Sequence, residues 1–225
     1  MGAEGSFCGR RAEKGRGYHH GGLRLALLAA ARALISERGP AGFTLAEAAK
    51  RVGVTGAAPY RHFADRGALI AELAQQGFEH FNEELGRAWN GGQPDAVAAL
   101  RRRGAAYLAF ASAEPGLYRA MFGDAGTPAR LKGDSAGQKA FDDLLRTTVA
   151  VLRQFHAPEQ GARTLALQIW ATTHGVAELM LAGHFGDKPD QAPALLDESV
   201  GALIEAAVRK ALGVPPIMPP SSPVA

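Results

Sequence analysis

Two sets of residues in this chain have the types and spacing for binding chemistry. The first lies in "TLAEAAKRVGVTGAAPYRHF", from Thr44 to Phe63. Thr44 and Thr55 each place a hydroxyl where a helical pattern begins. A helix N-terminus there offers unpaired amides and a positive dipole end to a phosphate. The second set centres on "WATTHG", where Trp170 and His174 stand four apart and share one helix face. His174 can donate to a small molecule held beside the Trp170 ring, or it can be a core histidine bonded to a backbone carbonyl. Tyr107, Phe110, Tyr118, Met121 and Phe122 form an aromatic-rich group upstream, suited to a packed core or to a mostly apolar cavity.

Other chemistry finds little support. The chain has no phosphate-cradling Gly loop, no nucleophile elbow and no carboxylate pair spaced for acid–base work, so neither an enzyme nor a cofactor is expected. Cys8 is the only cysteine, which excludes an intramolecular disulfide and a thiolate zinc site. His156, His174 and His184 lack the short spacing of metal ligands, and no metal site is expected. Arg101–Arg103 reads as a solvated helix face rather than a second polyanion site. Charge is unevenly shared: residues 1–70 carry eleven Lys/Arg against five Asp/Glu, and the remainder carries fourteen against seventeen. A basic front on a mildly acidic body points to a polyanion partner for the front alone. No run of eighteen apolar residues occurs, and the basic N-terminus lacks an apolar segment. A cytoplasmic protein with no membrane contact is the expectation.

The elements that must position these residues are all helices. Periodicity predicts helices over about 23–38, 44–52, 55–63, 65–89, 95–113, 117–122, 138–155, 159–181 and 193–212, and strand signals are missing. Gly39-Pro40 stops the first, "TLAE" makes a capping box for the second, and Thr55 is placed to cap the third. Residues 1–18 read as a disordered basic arm and residues 213–225 as a disordered Pro-rich tail. The loop 123–137 is long and rich in Gly. "LALQIWATTHGVAELML" is apolar on nearly every side and predicts a helix buried all round.

Two helices of two or three turns cannot stand alone. Joined by a short turn containing Gly53 and packed on the preceding helix, they make a helix-turn-helix over residues 43–62, its second helix free for a major groove. In this frame residues 20–80 resemble the DNA-binding domain of the TetR/AcrR family of one-component regulators. Matching positions include Leu27-Leu28, Ala30-Ala31, Gly39, Thr44, Ala49, Gly53-Val54-Thr55, Tyr60, His62-Phe63, Arg66 and Leu69. The resemblance implies that Thr44, Tyr60, His62 and Arg66 sit on phosphates or beside bases. The chain departs from the family at Gly56-Ala57-Ala58, which cannot form bidentate contacts to a base edge, although a methyl group can pack on thymine. Gly56 therefore belongs to the DNA-facing set only as backbone, and base reading falls on Thr55, Tyr60 and Arg61. Pro59 removes an early backbone hydrogen bond.

"GLYRAMFG" and "WATTHG" resemble the TetR-type regulatory domain named for its Trp-His-Gly signature. Residues 90–212 then form a larger helical domain for ligand binding and dimerisation. The resemblance implies a homodimeric repressor on an inverted-repeat operator, released by a small-molecule effector. Its expected cavity is walled by Tyr107, Phe110, Met121, Phe122, Trp170 and His174, so an apolar or weakly polar effector is expected. Leu196, Val200, Leu203 and Ala207 form an uncharged stripe that, with the outer side of the apolar helix before it, is expected to pair with a second copy in a four-helix interface. The alternative, favoured by Gly56-Ala57-Ala58, is a TetR-like module that binds a small molecule or a partner with weak or lost operator recognition.

Overall fold

The computed structural model describes residues 20–123, 136–188 and 190–214. The basic arm, most of the 123–137 loop and nearly all of the Pro-rich tail lie outside the described residues. Within them there are helices and no strands. Eight α-helices follow in order: α1 (His20–Arg38), α2 (Leu45–Val52), α3 (Arg66–Trp89), α4 (Ala96–Ala113), α5 (Pro115–Phe122), α6 (Ala136–Gln154), α7 (Ala162–Leu181) and α8 (Gln191–Ala211).

Local chemistry sets most of the boundaries. α1 ends at Gly39, whose φ of 78° is a left-handed conformation open to glycine. The Thr44 hydroxyl accepts from the Glu47 amide at 3.2 Å, and the Thr44 amide donates to Glu47 Oε2 at 2.8 Å, closing the capping box of α2. These bonds from Thr44 hold the Glu47 carboxyl below its usual range. Gly53, at φ 83°, ends α2. Asp65 caps α3 by accepting from the Ala68 amide at 2.7 Å, and Asp95 caps α4 through the Ala98 amide at 2.9 Å.

The expected third helix is the main departure. Residues Ala58–Arg61 form a single 3₁₀ turn, its cap position is Ala57, and no side chain caps it. Pro59 explains the change. A helix capped by Thr55 needs its first hydrogen bond from the amide of residue 59 to the Thr55 carbonyl, and proline has no N–H. The Ala58 amide takes that carbonyl instead at 3.0 Å, in the tighter i→i+3 pattern.

Buried side chains from α1 through α8 form one continuous hydrophobic core. α5 packs on α1, α3 and α4, while α8 packs on α7 and α4. In the single chain α7 is buried on one side and open on the other: Leu167 and Leu179 are 45% and 43% exposed, and Ala171 and Gly175 between them are exposed too. The stripe on α8 is also divided. Leu196 and Val200 are buried in the chain's own core, whereas Leu203 and Ala207 are half-buried. None of the helices among the described residues is long and apolar enough to cross a membrane.

Candidate DNA-reading face and effector cavity

Around the turn that follows α2, Thr55, Gly56, Tyr60 and Arg61 are exposed and His62 is half-buried. Tyr60 is 62% exposed, its ring available to a partner beside the Arg61 guanidinium. The turn is anchored from below by buried Pro59 and Phe63, and the Arg24 guanidinium of α1 lies 5.0 Å from the Phe63 ring centroid. Thr44 is exposed, but its hydroxyl and amide are committed to the capping box, so α2 presents the Leu45 and Ala46 amides to an anion. Arg66 donates from Nη1 to the carbonyls of Ala41 and Phe43 at 3.0 and 3.3 Å, tying the start of α3 to the segment before α2. Its other N–H groups remain for a phosphate. Arg51 pairs with Glu37 at 2.6 Å and Arg38 with Glu47 at 3.0 Å. Lys50 and Arg61 have no carboxylate partner among the described residues and leave the face positive.

A second site lies inside the helical body. Phe78 and Phe81 of α3, Tyr107 of α4, Phe122 of α5, Phe141 of α6 and Trp170 of α7 surround a cavity of about 50 Å³. Three of the six expected wall residues, Tyr107, Phe122 and Trp170, border it; Phe110, Met121 and His174 do not. Gly137 at the end of the long loop also lines it. A neighbouring cavity of about 220 Å³ between α4, α7 and α8 shares Leu100, Gly104, Ile169 and Thr173 with the first. Arg103 lines the first cavity and is 6% exposed, so it is not part of a solvated Arg101–Arg103 face.

His174 stands behind the wall. Its Nδ1 lies 3.0 Å from the Tyr107 hydroxyl and 2.9 Å from that of Tyr118. Its Nε2 faces Glu178 Oε1 at 3.9 Å. Burial pushes the His174 pKa down and both tyrosine pKa values up. A neutral imidazole that carries its proton on Nε2 has one lone pair at Nδ1, which the Tyr107 and Tyr118 hydroxyls share, and the two hydroxyls lie 3.5 Å apart. The core histidine thus has hydroxyl partners rather than the backbone carbonyl expected. It reaches the cavity through Tyr107, and Phe122 touches its ring edge-on with centroids 4.9 Å apart.

α5 links this interior to α1. Tyr118 and Met121 are buried on its inner side, and on its outer side Arg119 donates to the Ser36 carbonyl near the end of α1. Arg32 of α1 pairs with Glu114. Gly116 lies so close that a Cβ there would sit 2.3 Å from the Arg32 carbonyl oxygen. Helix and helix meet backbone to backbone at this point.

Residues 27–73 match the family described as "Bacterial regulatory proteins, tetR family", and residues 100–203 match "Tetracyclin repressor-like, C-terminal domain". The chain belongs to the TetR family. A protein of unknown function from Rhodococcus sp. RHA1 is similar to it at 33% identity, with TM-score 0.65 over 86% of this chain and 97% of that one. A TetR-family transcriptional regulator from Pectobacterium atrosepticum shares 28% identity, with TM-score 0.56 over 84% and 93%. A TetR variant from Acinetobacter baumannii AYE, solved in complex with minocycline, has the same fold at 19% identity and TM-score 0.57, over 86% and 98%. No curated protein matches the chain in sequence. As a TetR-family chain it has an N-terminal helix-turn-helix and a C-terminal helical domain. Phe78 and Phe81 lie in neither matched range, yet they complete the cavity from α3, the helix that leaves the TetR-type reading unit. No group of three or more His, Cys, Asp or Glu side chains among the described residues is placed to hold a metal ion.

Proposed function

We propose that the protein is a cytoplasmic, ligand-responsive repressor that binds an inverted-repeat operator as a homodimer through residues 43–62. The observation that carries this reading is the exposure of Tyr60 and Arg61 on a turn anchored by buried Pro59 and Phe63, within a positive face. Phosphates would be held by the Leu45 and Ala46 amides and by Arg66, and bases read by Thr55, Tyr60 and Arg61. The two copies would meet on the exposed strip Leu167, Ala171, Gly175 and Leu179, with Leu203 and Ala207 at its side. Nothing lies within 4 Å of a Cβ built at Gly175, so a partner helix has room for close approach there. An effector widening the aromatic cavity would press on Tyr107 and Phe122, and through α5 on α1. A hundredfold preference for the widened state shifts the equilibrium by about 2.7 kcal/mol.

The test is binding of the full chain to the intergenic DNA upstream of its own gene. Affinity should exceed that for a scrambled duplex and fall steeply with salt, each lost phosphate contact flattening the log–log slope by about 0.9. The second reading, a ligand-binding module with weak or lost operator recognition, is favoured by the shortening of the third helix to one 3₁₀ turn. It predicts equal affinity for both duplexes.

A further inference from the structure

Three arginines follow one another on α4, and they have different fates. Arg101 pairs with Asp197 at 2.8 Å, and Arg102 donates to the carbonyls of Ala88, at 3.2 Å, and Gln93. Both are exposed. Arg103 is buried, and among the described residues it is the one charged side chain lining the aromatic cavity. Among the described residues its guanidinium makes one hydrogen bond, from Nη1 to Thr147 Oγ1 at 3.4 Å, and no ion pair. The Thr147 hydroxyl donates in turn to the Asp143 carbonyl at 2.9 Å, so it is free to accept from Arg103. The Asp143 carboxylate, whose charge favours the Arg103 cation, is itself paired with Arg146. Arginine keeps its charge even when buried, and among the described residues four of its five N–H donors have no protein acceptor. A buried cation that makes no ion pair of its own is costly and favours an anion beside it.

We infer that the effector is an amphipathic monocarboxylate, its acid group held by the Arg103 fork and its apolar body among Phe78, Phe81, Phe141 and Trp170. This rests on the reading of the cavity as the effector site. One planar guanidinium matches one carboxylate in a bidentate pair. A phosphate would ask for more, and among the described residues the cavity lining holds no second cation. Leu100 and Tyr107, on either side of Arg103 along α4, both line the cavity; seven residues of helix span about 10 Å. Arg103 lies midway along that span, so an acid of roughly eight carbons enters only by widening the void of about 50 Å³, the expansion on which the proposed coupling to α1 depends. Gly104 lines both this cavity and its neighbour, with the Leu196 side chain packed beside it.

The experiment is calorimetric titration of the full chain with octanoate and with octan-1-ol at neutral pH, with Trp170 fluorescence recorded in parallel on the Trp89→Phe chain, because the protein has a second tryptophan at Trp89. Octanoate should bind roughly 10- to 100-fold more tightly than the alcohol, as charge-assisted hydrogen bonds allow. Arg103→Met should abolish that preference while leaving octan-1-ol binding intact, and its melting temperature should not fall. Arg103→Lys, which keeps the charge and loses the fork, should lie between. If Arg103→Met does not fold, the wild-type comparison decides alone. Equal affinity for acid and alcohol, or octanoate binding that survives Arg103→Met, overturns the carboxylate inference and leaves the cavity reading standing. If neither compound binds or moves Trp170 fluorescence, both fail together.

Discussion

The reading face and the aromatic cavity use opposite physics. On the face around Tyr60, the charged groups are hydrated, the ion pairs are exposed, and short elements are held by caps and by left-handed glycines. In the cavity and behind its wall, a single buried guanidinium and one Tyr–His–Tyr network sit among aromatic rings, where polar contacts are screened less than at the surface. A change on the face should therefore alter which DNA is bound and how salt affects it. A change in the interior should alter whether the protein folds and what it binds. Joining the two is α5, with Tyr118 on the inside and Arg119 on α1.

The largest effect should come from the interior. Tyr118 is fully buried, so Tyr118→Ala should cost about 3–5 kcal/mol of stability in denaturant unfolding. Tyr60→Ala and Arg61→Ala should each leave the unfolding midpoint in place. Each should narrow the free-energy gap between operator and random DNA by about 1–3 kcal/mol, read by anisotropy titration. A loss of stability on a par with Tyr118→Ala would mean that Tyr60 belongs to the core and the contrast is false.

These two regions also differ in how far the sequence reveals them. Thr44-Glu47, Asp65, Gly39 and Gly53 act on residues within one turn, so their roles can be read along the chain. Pro59 acts locally as well. Its cost to a helix capped at Thr55 follows from counting four residues, yet periodicity alone predicts a full third helix. The cavity depends on packing. Tyr107, Phe122 and Trp170 are recognisable as aromatics near the signature motifs, but Phe78, Phe81 and Phe141 join them only once α3 and α6 are docked. Arg103 had a signal within α4 itself: Ala99, Leu100, Tyr107 and Phe110 share its face, and all four are buried. Met121 and Phe110 are core residues that do not border the void.

Smaller effects sharpen the contrast. Thr44→Ala removes the capping-box hydroxyl and should cost about 1 kcal/mol of stability, with a modest loss of DNA affinity as α2 frays. The smallest effect belongs to His174. Burial holds its pKa below the ordinary 6.5, so the unfolded chain binds the proton more readily than the folded one. Its contribution is complete above pH 6.5 and is lost as pH falls through the folded-state value. Denaturant midpoints should drop between neutral and mildly acidic pH, and His174→Gln should flatten that slope.

The central claim is that two copies of this chain read a symmetric DNA site through the turn at Tyr60 and Arg61. Footprinting of the full chain on the intergenic DNA upstream of its gene tests it most directly. The account predicts one protected inverted repeat, its half-sites about one helical turn apart or slightly more, and loss of that protection in a Tyr60→Ala/Arg61→Ala protein that remains folded. Uniform protection, or a footprint unchanged in the double variant, would contradict it.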